Sequence, residues 1–432
     1  MLDLLRRYGW NATSFQLIEP EYKIWFDEQR DAAVAFIDTG SARVAGGPPL
    51  ASDEILGDVA QKFVRNSRRK RKRVAFFAVE ERFLRSMGMH AMEIGVQCRW
   101  NPQNWIEQHR GHRSLKEQLR RARAKGVTID RVPSEKIRAQ RKEIEHLMSR
   151  WLGTRPMPRM SFLVELNPFA FAEERRYYAA RVQGKLYGLL VAVPVYARNG
   201  WFFRDILRDP DAPNGTAESL VNAAMLDVAQ DGATFATLGL IPLGGEAWWQ
   251  RKVRRAMCGF YNFEGLKRFK TKLRPEAWDP IYLAWPRGLG ILALYDVLNA
   301  FAAGSLPTFA VRAVLRGPAP VLFVMGVLAV PWAALLAMMD SEQWFPSRAV
   351  QWTWVMFDMA MAAILIVLSR RWHRRLGTVA AIAAATDAVL TTIEAATYNV
   401  RRVRNTRDAA IVAIAVAAPI FVSAILITRL LR

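Results

Sequence analysis

The spacing of hydrophobic residues divides the chain into two parts. Up to about residue 318, apolar residues alternate with polar ones or recur at helical spacing, as in strands and amphipathic helices. Beyond that point come three apolar runs, residues 320–339, 350–369 (interrupted by Asp358) and 409–428. Each is long enough to cross a hydrocarbon core of about 30 Å. The pattern therefore predicts a water-soluble part followed by an all-α transmembrane region at residues 320–432.

The first part repeats one order of predicted elements. Helix, β-hairpin, helix and strand patterns occur once before residue 133 and once after it. Alternation of helices and strands in this way predicts an α/β (α+β) fold around a mixed sheet. Because the order recurs, the sequence predicts two tandem modules, residues 1–133 and residues 134–286, the second carrying the catalytic site.

Charged loops between the apolar runs predict the orientation of the membrane helices. The loop 340–348 carries two acids and one arginine, whereas the loops 370–375 (RRWHRR) and 401–407 (RRVRNTR) are strongly basic. Basic loops stay on the cytoplasmic side, so we expect these loops and the water-soluble part to face the cytoplasm. Residues 376–398 have basic flanks at both ends, which favours an interfacial or re-entrant helix over a fourth span. Residues 287–319 are predicted to be an amphipathic connector along the membrane.

The charge balance indicates an anionic partner. The chain has 61 Lys and Arg residues against 39 Asp and Glu, a net charge of +22, which suits nucleic acid or an acidic lipid surface. Positive charge is concentrated in the run 68–73 (RRKRKR) and in a predicted helix at 109–123. A solvated surface explains the first run as well as phosphate contact does, whereas polyanion binding is favoured for the second. Cys98 and Cys258 lack metal-ligand spacing, so no metal is predicted.

Residues 201–225 hold the densest candidate chemistry. An acid and a guanidinium stand three apart, a turn follows, and another acid lies in the first turn of an apolar-periodic helix. In order, these residues are Asp205, Arg208, Asn214, Gly215 and Glu218. Such a set suits the binding and attack of an anionic or ester-like group. A structural ion pair and an ordinary turn are the alternatives.

The motifs in and after this stretch resemble those of a known family. Asp-x-x-Arg before Ala-Pro-Asn-Gly is followed by Leu-Gly-x-x-Pro-Leu at 238–243, Phe-Lys-x-Lys-x-x-Pro at 269–275 and Tyr-Leu-Ala at 282–284. In this order they are similar to the C-terminal catalytic domain of phosphatidylglycerol lysyltransferases, the multiple peptide resistance factor family, over roughly residues 15–286. The resemblance implies two fused acetyltransferase-like (GNAT) modules and a link to antibiotic resistance.

The resemblance also implies an activity: transfer of an aminoacyl group from aminoacyl-tRNA to a phosphatidylglycerol-type lipid hydroxyl. The reaction would take place at the cytoplasmic leaflet of the bacterial inner membrane. By position, Asp205 and Arg208 match the family's Asp-x-x-Arg pair, and Lys270 or Lys272 matches its lysine region. The ester donor is already activated, so no cofactor is predicted beyond the tRNA co-substrate. Asp205 or Glu218 is then expected to act as base or to recognise the ammonium group.

Phosphate binding is assigned to the cations of these motifs and of the basic clusters. The predicted substrate-binding residues are Lys270, Lys272, Asn214 and Gly215. The predicted tRNA-binding residues are Arg68, Arg69, Lys70, Arg71, Lys72, Arg73, Arg113, Lys116, Arg120 and Arg121. Anionic membrane phospholipid is the second expected partner.

Two departures from the family pattern leave the amino acid and the lipid open. Here the membrane helices are few and follow the catalytic part, so lipid export by this chain alone is not expected. Ser149-Arg150 also stands where the family often has acids before Trp-Leu. Two competing functions are an N-acyltransferase of the same fold that uses an acyl thioester and a non-catalytic, membrane-anchored binder of anionic partners.

Overall fold

The structure is a computed structural model of the chain, and it describes residues 1–111, 113–154, 162–256, 263–302, 305–309, 319–370 and 372–431. The chain divides into two compact units, Met1–Arg155 with Arg159–Leu306, and Pro156–Pro158 with Pro307–Arg432.

Within the described residues, the first unit is built on one eleven-stranded sheet. The strands are β1 (Lys23–Phe26), β2 (Ala33–Asp38), β3 (Ala42–Ala45), β4 (Arg73–Val79), β5 (His90–Trp100), β6 (Thr128–Val132), β7 (Arg176–Val182), β8 (Lys185–Val195), β9 (Gly200–Arg208), β10 (Phe235–Pro242) and β11 (Ala277–Trp285). Their order is β1-β2-β3-β4-β11-β5-β10-β9-β8-β7-β6. The β3–β4 and β9–β10 pairs are parallel and the other pairs antiparallel. This mixed sheet with flanking helices confirms the predicted α/β class.

The last strand of the unit lies in the middle of the sheet. β11 pairs with β5, where Ala277 lies opposite Arg99, and with β4, where Ala284 lies opposite Phe76. β6, which precedes the predicted module boundary at residue 133, pairs with β7, which follows it. The two predicted halves therefore share one continuous sheet, and the module boundary itself stays a prediction.

Helices cover both faces of this sheet. They are α1 (Leu2–Tyr8), α2 (Leu56–Arg69), α3 (Glu81–Ser86), α4 (Trp105–His109), α5 (Arg113–Ala124), α6 (Ser134–Ala139), α7 (Arg141–Gly153), α8 (Thr216–Gln230), α9 (Trp248–Ala256), α10 (Phe263–Lys272) and α11 (Gly290–Phe301). α8 packs on the face that carries Leu190 and Phe203, and α7 packs on the opposite face with Leu189 and Leu207. In the other half of the sheet, α2 and α3 cover one face and α11 the other.

The second unit is helical. Its described helices are α12 (Ala319–Met338), α13 (Ser341–Trp344), α14 (Arg348–Arg370), α15 (Arg374–Glu394) and α16 (Thr406–Leu430). The four long helices share a core that includes Leu322, Leu365, Ala381 and Ile425. At Gly326, an added Cβ would lie 2.9 Å from the carbonyl oxygen of Ala362, so the absence of a side chain lets α12 approach α14 closely.

Four helices of the described chain are long and apolar enough to cross a membrane, by length and composition: Val321–Met338, Arg348–Arg370, Arg374–Arg402 and Thr406–Leu430. Three of them coincide with the predicted spans to within a few residues at each end. The remaining one contains residues 376–398, for which the sequence favoured an interfacial helix. Its helical turns continue past α15 to Arg402, and this length favours the alternative of a fourth span.

Candidate active site

Strand β9 places the predicted catalytic pair on opposite faces of the sheet. Asp205 shares its face with Leu207, which is buried against α7, whereas Arg208 shares its face with Ile206, which packs toward α8. Side chains alternate between faces along a strand, so residues three apart point in opposite directions. The expectation that the acid and the guanidinium come together is therefore not met.

Asp205 belongs to a buried group of four charged side chains. The pairing of β9 with β8 is irregular between Phe203 and Asp205, and this bulge at Arg204 brings the Arg204 Nε to 3.9 Å from Oδ2 of Asp205. The Nη2 of Arg204 donates to Oε2 of Glu19 at 3.3 Å, and the Nη2 of Arg175 donates to Oε1 of Glu19 at 2.8 Å. No side chain of the four is more than 9% exposed.

Several polar atoms of this group and of the adjacent segment 16–22 lack a hydrogen bond. Among the described residues, no hydrogen-bond partner exists for Gln16 Oε1, Glu21 Oε1, Tyr22 OH, Arg175 Nη1 and Asp205 Oδ2. A buried polar atom left unpaired costs about 1–3 kcal/mol, and buried polar groups of folded proteins are almost always paired. We call these residues, with Glu19 and Arg204, the Asp205 cluster. Its unpaired atoms include hydrogen-bond acceptors on Asp205, Glu21 and Gln16 and donors on Arg175 and Tyr22.

Burial shifts the ionisation of the acids in the Asp205 cluster. It raises the pKa of Glu21 to about 7, and the nearby Glu19 carboxylate adds to the effect. Burial also raises the pKa of Asp205, which the guanidiniums of Arg204 and Arg175 partly oppose. A carboxylate whose pKa lies near neutrality suits general acid–base chemistry, and such shifts are typical of functional sites.

Sequence reasoning missed every member of the Asp205 cluster except Asp205 itself. Glu19 and Arg175 are 156 residues apart in the chain, so their pairing leaves no pattern of spacing. Arg175 lies within a run of four charged residues, 173–176, which reads as solvated surface. A signal was available only at β9, where two adjacent charged residues interrupt an otherwise apolar strand.

The opposite face of β9 carries the other predicted site residues. Nζ of Lys272 lies 2.9 Å from Oε1 of Glu218, in a partly buried ion pair. Nη2 of Arg208 donates to the carbonyl oxygen of Ala212 at 3.1 Å. The structure thus brings Glu218 and Lys272 together, away from Asp205 across the sheet.

Lys270 is a buried cation with a full set of backbone acceptors. Its Nζ donates to the carbonyl oxygens of Leu238, Gly239 and Leu240 at 2.7, 2.9 and 3.2 Å. Gly239 has a φ of +73°, and the pairing of β10 with β5 is irregular between Thr237 and Leu240. Lys270 therefore holds an irregular end of β10 in place, and its three donors are used in doing so.

The turn before α8 has structural features that the sequence analysis did not predict. Gly215 has a φ of +92°, and an added Cβ would lie 2.2 Å from the carbonyl oxygen of Gln118, so this position requires glycine. Asn214 is exposed. Arg150, which stands where the family often has an acid, donates to both carboxylate oxygens of Asp209 at 2.6 and 2.9 Å.

The two basic clusters lie on different halves of the sheet. Arg68 and Arg69 end α2, and Lys70–Lys72 form the turn that leads into β4. The second cluster covers α5, which packs on α8 at the other half. Its Arg120 and Arg121 both donate to Glu117, at 2.9 and 2.7 Å.

Solved structures show which class of protein has this fold. The C-terminal domain of a putative lysylphosphatidylglycerol synthetase from Agrobacterium fabrum matches with a TM-score of 0.61 and 21% identity, covering 70% of this chain and 98% of that one. A second match is the L-PGS structure from Bacillus licheniformis, with a TM-score of 0.61, 18% identity, and coverage of 70% and 95%. The first unit therefore has the fold of these synthetase domains.

A family model assigns the chain more closely. The model described as phosphatidylglycerol lysyltransferase, C-terminal, matches residues 2–285, and the chain belongs to this family. Phosphatidylglycerol lysyltransferase of Bacillus subtilis is 22% identical over 297 residues, which cover 65% of this chain and 34% of that protein. The lysylphosphatidylglycerol biosynthesis bifunctional protein LysX of Nocardia farcinica is 25% identical over 316 residues, covering 66% and 27%. The chain thus spans about a third of the length of these relatives, or less.

Proposed function

We propose that the chain transfers an aminoacyl group from aminoacyl-tRNA to the hydroxyl group of a phosphatidylglycerol-type lipid. Family membership and the candidate membrane helices support a lipid acceptor. The observation that carries the proposal is the Asp205 cluster, a buried site whose unpaired atoms match an amino acid ester. The names of the relatives make lysine the first amino acid to test.

An amino acid ester carries hydrogen-bonding groups of both kinds that the cluster leaves unpaired. An α-ammonium group donates hydrogen bonds, and Asp205 Oδ2, Glu21 Oε1 and Gln16 Oε1 are free to accept them. An ester carbonyl accepts hydrogen bonds, and Arg175 Nη1 and Tyr22 OH are free to donate. Donors placed at the carbonyl oxygen also stabilise the oxyanion that forms when the ester is attacked.

The proposed transfer needs one nucleophile and one base. The lipid hydroxyl oxygen attacks the ester carbonyl carbon, and its proton passes to whichever carboxylate of the cluster, Asp205 or Glu21, does not hold the ammonium group. When the tetrahedral intermediate collapses, the bond to the ribose oxygen of the tRNA breaks, and that oxygen takes up the proton. The new bond joins the acyl carbon to the lipid oxygen, so one ester is exchanged for another without any cofactor.

The surface of α5 is the proposed contact for the tRNA backbone. Arg113, Lys116, Arg120 and Arg121 lie on this helix, and Arg120 and Arg121 are more than half exposed. Glu117 neutralises part of this charge, but the helix stays basic. Contacts of this kind release counterions, so tRNA binding should weaken steeply as salt rises.

The proposed location is the bacterial cytoplasmic membrane, with the first unit in the cytoplasm. If all four candidate helices cross, both ends of the membrane region lie on the cytoplasmic side, but the basic loop 401–407 lies outside. Both basic loops, 370–375 and 401–407, are cytoplasmic only if residues 374–402 do not cross. Labelling of single cysteines in these two loops from either side of intact cells decides between three and four crossings.

The test is a reconstitution of the full chain. Vesicles that contain the protein and phosphatidylglycerol are incubated with [¹⁴C]lysyl-tRNA, and the organic extract is assayed for labelled lipid. We expect label in the lipid fraction with intact lysyl-tRNA and none with free lysine, because only the tRNA ester is activated. A panel of other aminoacyl-tRNAs identifies the donor if lysine is inactive.

Two outcomes contradict the proposal. Labelled product with an acyl thioester and none with any aminoacyl-tRNA would assign the chain to the N-acyltransferases. Binding of tRNA and lipid without turnover by any donor would make it an anchored binding protein.

A further inference from the structure

The basic run 68–73 and helix α11 meet in one groove of the first unit. The groove has a volume of about 310 Å³ and lies between the end of α2, the turn before β4, the end of β11 and the start of α11. Arg68, Arg71 and Arg287 line it. None of these three guanidiniums pairs with a carboxylate among the described residues, since the ion pairs nearby involve other cations.

The remaining charges of the groove are already compensated. Arg73 donates to the buried carboxylate of Asp296 from Nε at 2.8 Å and from Nη2 at 2.6 Å, which fixes α11 to β4. Lys72 lies 3.2 Å from Asp38. Asp296 is the acid among the described lining residues, and its charge is matched by Arg73. The groove therefore has a surplus of three positive charges, which a bound anion would offset.

Helix α11 exposes an apolar stripe beside this groove. Ala293, Val297 and Ala300 are buried against the sheet, as expected for the inner face of an amphipathic helix. The outer face is apolar too: Ile291 is 72% exposed and Leu298 43%, and Leu289, Leu292, Leu294 and Tyr295 are exposed with them. A surface helix in water normally turns a polar face outward, and contiguous exposed apolar residues mark an interaction site.

We propose that this groove binds the phosphate headgroup of an anionic phospholipid in the bilayer, with the exposed stripe of α11 inserted among the acyl chains. The three unpaired guanidiniums suit a lipid phosphate. The stripe and Trp285, which lines the groove, suit the interfacial region of a membrane. The linker 302–318 joins α11 to the first candidate span, which keeps the helix tethered to the same bilayer. The site goes beyond the proposed transfer, because lipid docking there involves no catalytic residue.

A lipid fits these observations better than the tRNA to which the sequence assigned the same run. RNA binding would neutralise Arg68, Arg71 and Arg287 but would leave the leucine and isoleucine side chains of α11 in water. An anionic bilayer satisfies both features at once, since basic residues beside inserted apolar ones are the pattern of interfacial helices.

Photocrosslinking in the full chain tests the site. Leu292, which lines the groove, is replaced by p-benzoylphenylalanine, and the chain is reconstituted in vesicles of phosphatidylcholine with or without phosphatidylglycerol. The control site is Ile106, which is 67% exposed on α4 and does not line the groove. We expect crosslinking of phosphatidylglycerol from position 292 at least about fivefold above that from position 106, since each basic contact contributes about 1 kcal/mol.

A charge-matched pair of variants separates lipid from tRNA. The triple variant Arg68→Gln, Arg71→Gln, Arg287→Gln should lower crosslinking of phosphatidylglycerol at position 292 to the level of phosphatidylcholine. The same loss of charge on α5, by Arg113→Gln, Arg120→Gln and Arg121→Gln, should leave it unchanged. All six residues are on the surface, so an unchanged thermal unfolding profile is expected and checks that each variant is folded.

Three results would overturn the inference. Equal crosslinking of the two lipids, or no excess over position 106, would show that the groove does not select an anionic lipid. If tRNA crosslinks at position 292 and this crosslink is lost in the groove variant, the basic run 68–73 binds tRNA and not lipid. Failure of the proposed function is distinguishable, because it would remove product formation while lipid crosslinking in the groove remained.

Discussion

The predicted site residues lie on both faces of the sheet at strand β9, and the two faces differ in how far their polar atoms are paired. On one face, Asp205 lies in a cluster with unpaired buried atoms and a carboxyl pKa near neutrality at Glu21. On the other face, Glu218 pairs with Lys272 and Lys270 is saturated by three carbonyl oxygens. Nε of Arg208 is buried on that side without a hydrogen-bond partner among the described residues.

This difference is the reason why we propose the Asp205 face as the one that holds the reacting groups. A lysine whose three donors are bound to backbone carbonyls, as in Lys270, stabilises the fold but has little left to offer a substrate. Unpaired buried donors and acceptors cost stability and are retained where a ligand completes them. The motif Asp-x-x-Arg and the lysine region therefore include both residues beside unpaired buried atoms and residues that are bound within the fold. Only the structure distinguishes the two.

The largest expected effect is that of Asp205→Asn. The amide keeps the shape but removes the carboxylate, so lipid aminoacylation should fall by about 10²- to 10⁴-fold, the usual contribution of a general base. Asp211→Asn, on the exposed turn nearby, should keep most of its activity. The measurement is the initial rate of labelled lipid formation in vesicles. Full activity of Asp205→Asn would show that this face of β9 is only structural.

Lys270→Met should act on stability rather than on chemistry. Methionine fills similar space but leaves three carbonyl oxygens without their donor, at a net cost of roughly 2–4 kcal/mol. The thermal unfolding midpoint of the purified chain should drop by several degrees, whereas Lys272→Met should change it little. An unchanged midpoint with lost turnover would instead make Lys270 a participant in the reaction.

The class of fold could be predicted because it depends on local patterns. Apolar alternation and helical spacing predicted the α/β class, and long apolar runs predicted the candidate membrane helices. The sequence did not identify β9 as a strand, because Arg204, Asp205 and Arg208 interrupt its apolar pattern. Without that strand, the faces of Asp205 and Arg208 could not be assigned.

Contacts between residues far apart in the chain are the part of the site that could not be predicted from the sequence. β11 lies between β4 and β5 although it is the last strand, and Glu19 meets Arg175 across 156 residues. Neither contact has a counterpart in residue spacing. The resemblance found Asp205, whereas the partners that shape its environment came only from the three-dimensional arrangement.

The pH profile should separate the two faces further. Glu21 has a pKa of about 7 in the folded chain against an ordinary value of 4.5, so the folded state holds a proton that the unfolded chain releases. Stability contributed by this group is present below about 4.5 and declines as pH rises through 7. If Glu21 is the base, activity should rise up to about tenfold per pH unit below 7. Glu21→Gln should flatten both trends, and the exposed Glu28→Gln should flatten neither.

The smallest effect is expected on the second face, from Glu218→Gln and Lys272→Met. The pair is partly exposed, so its coupling energy in a double-mutant cycle should be about 1 kcal/mol. Because that corresponds to about fivefold in an equilibrium or a rate, each single variant should retain aminoacylation within about that factor. The cycle is read from unfolding midpoints and initial rates in the same vesicles. A loss of more than a hundredfold in Glu218→Gln, with stability unchanged, would place the base on the Arg208 face, and the Glu218–Lys272 ion pair would then be one that opens when substrate binds.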